Sequence, residues 1–307
     1  MIKLIMLIDS NAILDEVITA WAGKCHWPTF MGDNVVYESN HQGSATGEFA
    51  VRQLFEDNFP GGMTVHVSTT NKVVRSQNQS STIAAYFYGD TADIRLQNND
   101  SVNFGGMIVI NTLSGSVERV RVHLNWLKGN KNIVHHWHFP YERQWQPGDS
   151  VSPLISEIDA PWHAYKQAHT PLSDEDAIAE AWFQYAWALD MADFSLFKGA
   201  FSDDANANLP PMGKLKGRRM LVSTLKAFRM PWPWIQHYGV PLQIDIAEDR
   251  QSASLLLGRI IPEQDKTADG EALYGAHYKI ELKKEDGEWR MSRMDYLSGW
   301  FTVKNKG

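Results

Sequence analysis

Apolar residues at Ile178, Trp182, Tyr185 and Leu189 recur every three or four positions, which predicts a helix with one buried stripe. Ser173 stands before this run as its N-cap. Asp174, Glu175 and Asp176 follow in the first turn, where acids suit the positive end of a helix. A second helical run, Arg218 to Met230, opens behind Gly217 and ends at Pro231-Trp232-Pro233-Trp234, a segment that proline bars from regular helix. Beyond it the period falls to two, so Leu242 to Ile246, Ala253 to Ile261 and Tyr274 to Lys284 read as strands. Asp286-Gly287 signals a two-residue hairpin. An uninterrupted ladder from that turn sets Leu282 against Met291, Ile280 against Arg293 and Tyr278 against Asp295. Tyr278, Arg293 and Asp295 are then polar groups on the inward face, beside Ile280, Leu282, Trp289 and Met291.

The first half of the chain reads as a weaker copy of the same unit. Phe30 and Asp33 precede a strand-like Val35-Val36-Tyr37, and Gly47 opens a helical run from Glu48 to Phe59. Phe201 and Asp203 precede Ala205 to Leu209 in the same way, and Gly217 opens the later helix. The Asp-to-Gly step is 14 residues in both copies (47−33 and 217−203), and the step to the next histidine is 19 for His66 and 20 for His237 (66−47 and 237−217). This places domains at 1–145 and 173–307 with a proline-rich surface linker at 146–172. The copy lacks an acid, because Ala20 stands where the later unit has Asp190, and His66 reads as a packed histidine. Gly129-Asn130 reads as a hairpin turn between Val117 to Lys128 and Lys131 to Tyr141. One face of that hairpin would carry Arg121, His123, Asn125, His136 and His138. A three-imidazole site is geometrically open there. Arg121 in the same band opposes a cation and no Cys or Glu supports one, so no metal is expected and a polar interface is the preferred reading.

With 307 residues and 43% hydrophobic content, the chain is long enough for two globular domains with real cores. The net charge of −7 is spread along the chain and argues against a nucleic-acid surface. The single cysteine, Cys25, excludes an intrachain disulfide and reads as a small buried thiol. The apolar start, Met1 to Ile8, is short for a signal peptide, and no run approaches a membrane span. A cytoplasmic protein without membrane partners is expected. The 12 tryptophans suggest aromatic-walled pockets or a broad domain interface.

Asp190 shares a helix ridge with Phe183 and Ala186, so its carboxylate is partly desolvated. With His237 nearby the two make a general acid–base device; bonding to a loop backbone is the alternative. The segments AWALDMADFSLFKGAFSDDA, GRRMLV, WIQHYGV and HYKIELKKEDGEWRMSRMDY are similar to those of the nuclear-transport-factor-2-like superfamily, most closely its SnoaL-like and scytalone-dehydratase-like members. That resemblance implies an α+β fold: two tandem cone-shaped barrels, each a curved, mostly antiparallel sheet wrapped by helices around a pocket. It also implies an Asp on the first helix paired with a His at the start of a strand, and the matching positions are Asp190 and His237. The hydrogen-bonding Ser and Asn of the dehydratase fall near Ala276 and Tyr278, and its second catalytic histidine has no match. Scytalone dehydration itself is therefore not expected.

These readings converge on a cofactor-free lyase, isomerase or cyclase acting on an aromatic or polycyclic carbonyl or hydroxyl compound. His237, oriented by Asp190, moves the proton, and Tyr278 donates to the developing enolate oxygen. Trp182, Tyr185, Trp232 and Trp234 wall the substrate. Arg293 and Asp295 either anchor it or form a buried ion pair. The rival reading is a non-catalytic carrier of a hydrophobic ligand or a protein-interaction module. In either case a homo-oligomer or an intrachain pseudo-dimer is compatible with the sheets.

Overall fold

The computed structural model describes residues 10–24, 27–59, 61–93, 101–138, 154–165, 172–231 and 235–303. Met1 to Ile8, Cys25, Trp232 and Trp234 lie outside the described residues. The chain divides into two units, Met1–Thr170 and Pro171–Gly307. Among the described residues no helix is long and apolar enough to cross a membrane.

In the first unit, helix α1 (Ser10–Trp21) leads to β1 (Met31–Ser39), β2 (Gly43–Thr46) and α2 (Glu48–Glu56). Four long strands follow: β3 (Met63–Gln77), β4 (Ser80–Asp93), β5 (Ser101–Leu113) and β6 (Ser116–Gly129). They form one six-stranded sheet in the order β2-β1-β6-β5-β4-β3, antiparallel except where β1 runs parallel to β6. The core is aromatic: Trp21 meets Phe59, Phe87 and Phe104 at ring-centroid distances of 5.5, 5.4 and 6.1 Å.

Helix α3 (Pro161–Ala164) also belongs to this unit. In the second unit α4 (Asp174–Asp190) and α5 (Phe197–Ala200) precede β7 (Phe201–Leu209), β8 (Gly213–Lys216) and α6 (Arg218–Arg229). The strands β9 (Gly239–Ile246), β10 (Ser252–Arg259), β11 (Leu273–Glu285) and β12 (Glu288–Thr302) complete a sheet ordered β8-β7-β12-β11-β10-β9. β7 is parallel to β12, as β1 is to β6. The two units therefore share one chain path. Its landmark is a glycine at positive φ between the short second strand of each unit and the helix that follows it, Gly47 at 88° and Gly217 at 80°, a region that side-chain-bearing residues avoid.

Helix α4 forms for the reasons the sequence suggests. The Ser173 hydroxyl accepts from the Asp176 backbone at 3.0 Å, and Ile178, Trp182, Tyr185 and Leu189 are buried. Asp174 fixes the helix start to the sheet. It accepts from Lys284 Nζ and from the Trp289 indole at 2.8 Å each, and these donors hold its carboxyl down to about 2.

Three expectations change. The chain after Gly129 is not a strand. Both edges of β6 are taken, by β5 and β1, so no edge remains for a hairpin partner. The Asn130 side chain instead accepts from the Asn132 backbone and starts a short 3₁₀ helix, Lys131–Val134, that buries Ile133 and Val134. The shared histidine face therefore does not form: His123 Nδ1 accepts from Leu154 N at 3.2 Å, and His136 Nε2 lies 3.0 Å from the Asn58 carbonyl.

Second, residues 154–165 pack into the first unit rather than running over it as a linker. Ile155, Ala160 and Trp162 are buried, and Asp159 pairs with Arg121. Third, β12 carries a bulge. Glu281 faces Arg293 but Leu282 faces Met291, leaving Ser292 as the extra residue. Every later side chain then changes face, so Met294 sits against Ile280 and Tyr296 against Tyr278, where Arg293 and Asp295 were expected. Arg293 and Asp295 do pair, at 2.8 Å, but on the outward face, with the Arg293 side chain 54% exposed.

Candidate active site

Asp190 is the last residue of α4, where helical carbonyls lack intrahelical donors. Arg229, the last residue of α6, supplies donors: Nε reaches Leu189 O at 2.9 Å and Nη2 reaches Asp190 O at 2.6 Å. This guanidinium ties the two helix ends together and leaves the Asp190 carboxylate to point elsewhere. Oδ2 accepts the backbone N–H of His237 at 2.7 Å, and Oδ1 lies 2.5 Å from His237 Nδ1. Both side chains are buried. A carboxylate can only accept, so Nδ1 carries the proton and Nε2 the lone pair. Burial, and then the nearby Arg259 charge, push the His237 pKa down, against the pull of Asp190. The imidazole is thus held neutral and in one tautomer, the state of a general base.

Around this pair the interior is aromatic and phenolic. The Tyr185 ring stands edge-on to His237, with centroids 6.2 Å apart, and Trp182 packs against Tyr278 at 5.9 Å. Burial raises the pKa of both Tyr185 and Tyr278, so both phenols are neutral donors. Tyr278 is within hydrogen-bonding reach of Tyr185 and of Arg259.

Of the expected site residues, the structure brings Asp190, His237, Tyr185, Trp182 and Tyr278 together and sends Arg293 and Asp295 to the opposite face. It adds one residue that sequence reasoning missed, Arg259. The signal was present: Ala253, Leu255, Leu257 and Arg259 alternate along β10, and the first three are buried. A charged residue continuing an apolar face is the pattern that marks it.

Among the described residues the first unit shows no counterpart to the pair. Ala20 occupies the position of the acid. His66 is the fourth residue of β3, 66% exposed and 3.2 Å from Asp90, whereas His237 precedes β9 and is buried. This unit does hold a cavity of about 350 Å³, lined by Ala20, Trp27, Phe55, Phe59 and Met63 with Arg52 and Glu56 among its walls. Among the described residues no group of three or more His, Cys, Asp or Glu side chains is placed to hold a metal ion.

Residues 170–295 match the family model of the SnoaL-like domain. No curated protein sequence matches the chain. Among solved structures, similarity extends to a provisionally assigned scytalone dehydratase from Novosphingobium aromaticivorans, with 21% identity over 44% of this chain and 90% of that one, at a TM-score of 0.34. A hexachlorocyclohexane dehydrochlorinase of type 2 matches at 15% identity over 43% and 89%, TM-score 0.33. A domain of unknown function with a cystatin-like fold from Nostoc punctiforme matches at 20% identity over 45% and 83%, TM-score 0.33. With its family match and its helix-wrapped six-stranded sheet, the C-terminal unit is a SnoaL-like domain.

Proposed function

We propose that the C-terminal unit catalyses cofactor-independent proton transfer at carbon next to a carbonyl, as a lyase, isomerase or cyclase. The observation that supports this best is the double contact of Asp190 with His237, at 2.5 Å to Nδ1 and 2.7 Å to the backbone, inside a buried aromatic shell. A carboxylate that only satisfied a loop would not need to meet the imidazole as well. In the reaction, His237 Nε2 takes the proton from carbon. The electron pair of the broken C–H bond passes into a new C=C bond, and the carbonyl oxygen takes up the charge, with Tyr278 donating to it. Return of the proton to another carbon completes an isomerisation. Delivery to a β-hydroxyl expels water and completes a dehydration.

Deuterium exchange into the α-position of simple aryl and alicyclic ketones, followed by proton NMR in D₂O, tests this step without knowledge of the natural product. The wild-type chain accelerates exchange, and His237→Gln lowers the rate by about 10²–10⁴-fold, the usual contribution of a positioned acid–base group. Equal exchange by the variant removes His237 from the reaction.

A further inference from the structure

One corner of the C-terminal interior holds two buried donors that the proton-transfer pair does not use. The Trp182 side chain is fully buried, and among the described residues its indole Nε1 meets no acceptor. The same is true of Arg259 Nε, although the Nη2 of that guanidinium donates to the Gln236 carbonyl at 3.1 Å. An unmet buried donor costs about 1–3 kcal/mol, so a folded chain that keeps two in one place calls for an explanation.

The sheet register shows that they share a place. Arg259 lies directly across from Gly239 on β9, and so on the same face. Trp182 covers that glycine: a Cβ at Gly239 would stand 2.4 Å from the ring carbon Cη2. On the other side Arg259 pairs with Ala276, one diagonal step from Tyr278, and the small alanine leaves room for the guanidinium to reach the phenol. The Trp182 indole, the Arg259 guanidinium and the neutral Tyr278 phenol are therefore neighbours, and the guanidinium charge is close enough to act on His237. Each can donate: the indole and the guanidinium only donate, and the phenol keeps its own O–H while its oxygen accepts from Arg259. The adjacent carboxylate, Asp190, is already engaged by His237.

We propose that Trp182 and Arg259, with Tyr278, form an oxyanion-binding corner, so that the substrate presents there an oxygen that becomes anionic: the enolate oxygen of a carbonyl compound. The inference rests on the proton-transfer reading for the identity of that oxygen, but not for the donors themselves. A resident charge and two preset dipoles favour an oxyanion over its neutral acid, and they do so most strongly where water is excluded. Delocalised enolates and phenolates have the matching shape and charge.

The probe is 4-nitrophenol, whose visible phenolate band separates its two protonation states. The wild-type chain binds it as the phenolate at a pH below the pKa of the free phenol. Arg259→Met weakens binding by about tenfold or more, the loss expected for one charge-assisted hydrogen bond. Trp182→Phe keeps an aromatic ring against Gly239 and weakens binding by a smaller factor. Circular dichroism confirms that each variant is folded. Binding as the neutral phenol, no binding, or equal affinity in both variants overturns the inference. His237→Gln separates this result from the proton-transfer reading. If exchange survives in that variant while phenolate binding still depends on Arg259, the corner stands and the base does not. If exchange needs His237 but the phenolate does not need Arg259, the base stands and the corner falls.

Discussion

His41 makes the stability of the first unit sensitive to acid. It lies in the turn after β1 with no exposed surface, its ring edge-on between Trp21 and Trp137 at 5.8 and 4.7 Å. Ser39 Oγ, which accepts the backbone N–H groups of His41 and Gln42, stands 2.5 Å from Nδ1. Burial pushes the imidazole down to about 3, from an ordinary value near 6.5, and His123, His136 and His138 add like charge once protonated. The depressed value sets the sign. Below about pH 6.5 the unfolded chain binds a proton here that the folded chain refuses, so stability falls as the pH falls, and it goes on falling until the folded residue titrates near 3. At pH 5 the difference is 1.5 pH units below the unfolded pKa, or about 2 kcal/mol. His41→Gln removes that dependence. Urea titrations of both proteins at pH 8 and pH 5 measure it, with hydrogen-exchange mass spectrometry of β5 and β6 assigning the transition to this unit. The wild type should lose about 2 kcal/mol more than the variant between the two pH values. An equal loss in both refutes the reasoning, because His41 would then titrate alike in the folded and unfolded chains.

Other outcomes follow from the second unit. Asp190→Asn removes the charge that raises the His237 pKa, so the imidazole, read by NMR titration, should titrate lower and deuterium exchange should slow. Arg259→Met removes a charge that lowers the same pKa, so the shift should have the opposite sign. Gly239→Ala forces a methyl group against Trp182 and Leu257 and should cost on the order of 1–3 kcal/mol in urea, with weaker phenolate binding. Arg293→Ala should leave both the unfolding midpoint and exchange unchanged. A loss of exchange there would return Arg293 to the interior.

Much of the fold was legible because local chemistry and tertiary contact agree. Ser173 and the stripe from Ile178 to Leu189 specify α4 twice over, by cap and by period. Asp286 and Gly287 both adopt positive φ, at 53° and 83°, as a tight hairpin turn needs. The bulge at Ser292 escaped because strict alternation was carried past it. Its trace is the three-residue step from Met291 to Met294, where two were due. The hairpin expected after Gly129 failed for a reason no local window contains: β1 had already claimed the free side of β6. The Asp190–His237 proximity came from resemblance rather than from spacing, since 47 residues separate the two side chains. Arg259 could have been read from its strand alone.

The different settings of His66 and His237 bear on how the first unit could be re-equipped. Placing a carboxylate at Ala20 would bury a charge that His66 is not placed to meet, since that histidine stands on the solvent side of its strand, bonded to Asp90. Building an Asp–His pair there from His66 would take a changed strand entry as well as a changed side chain. The two halves have therefore diverged in backbone as well as in residue identity, and single-site reversion is a closed route.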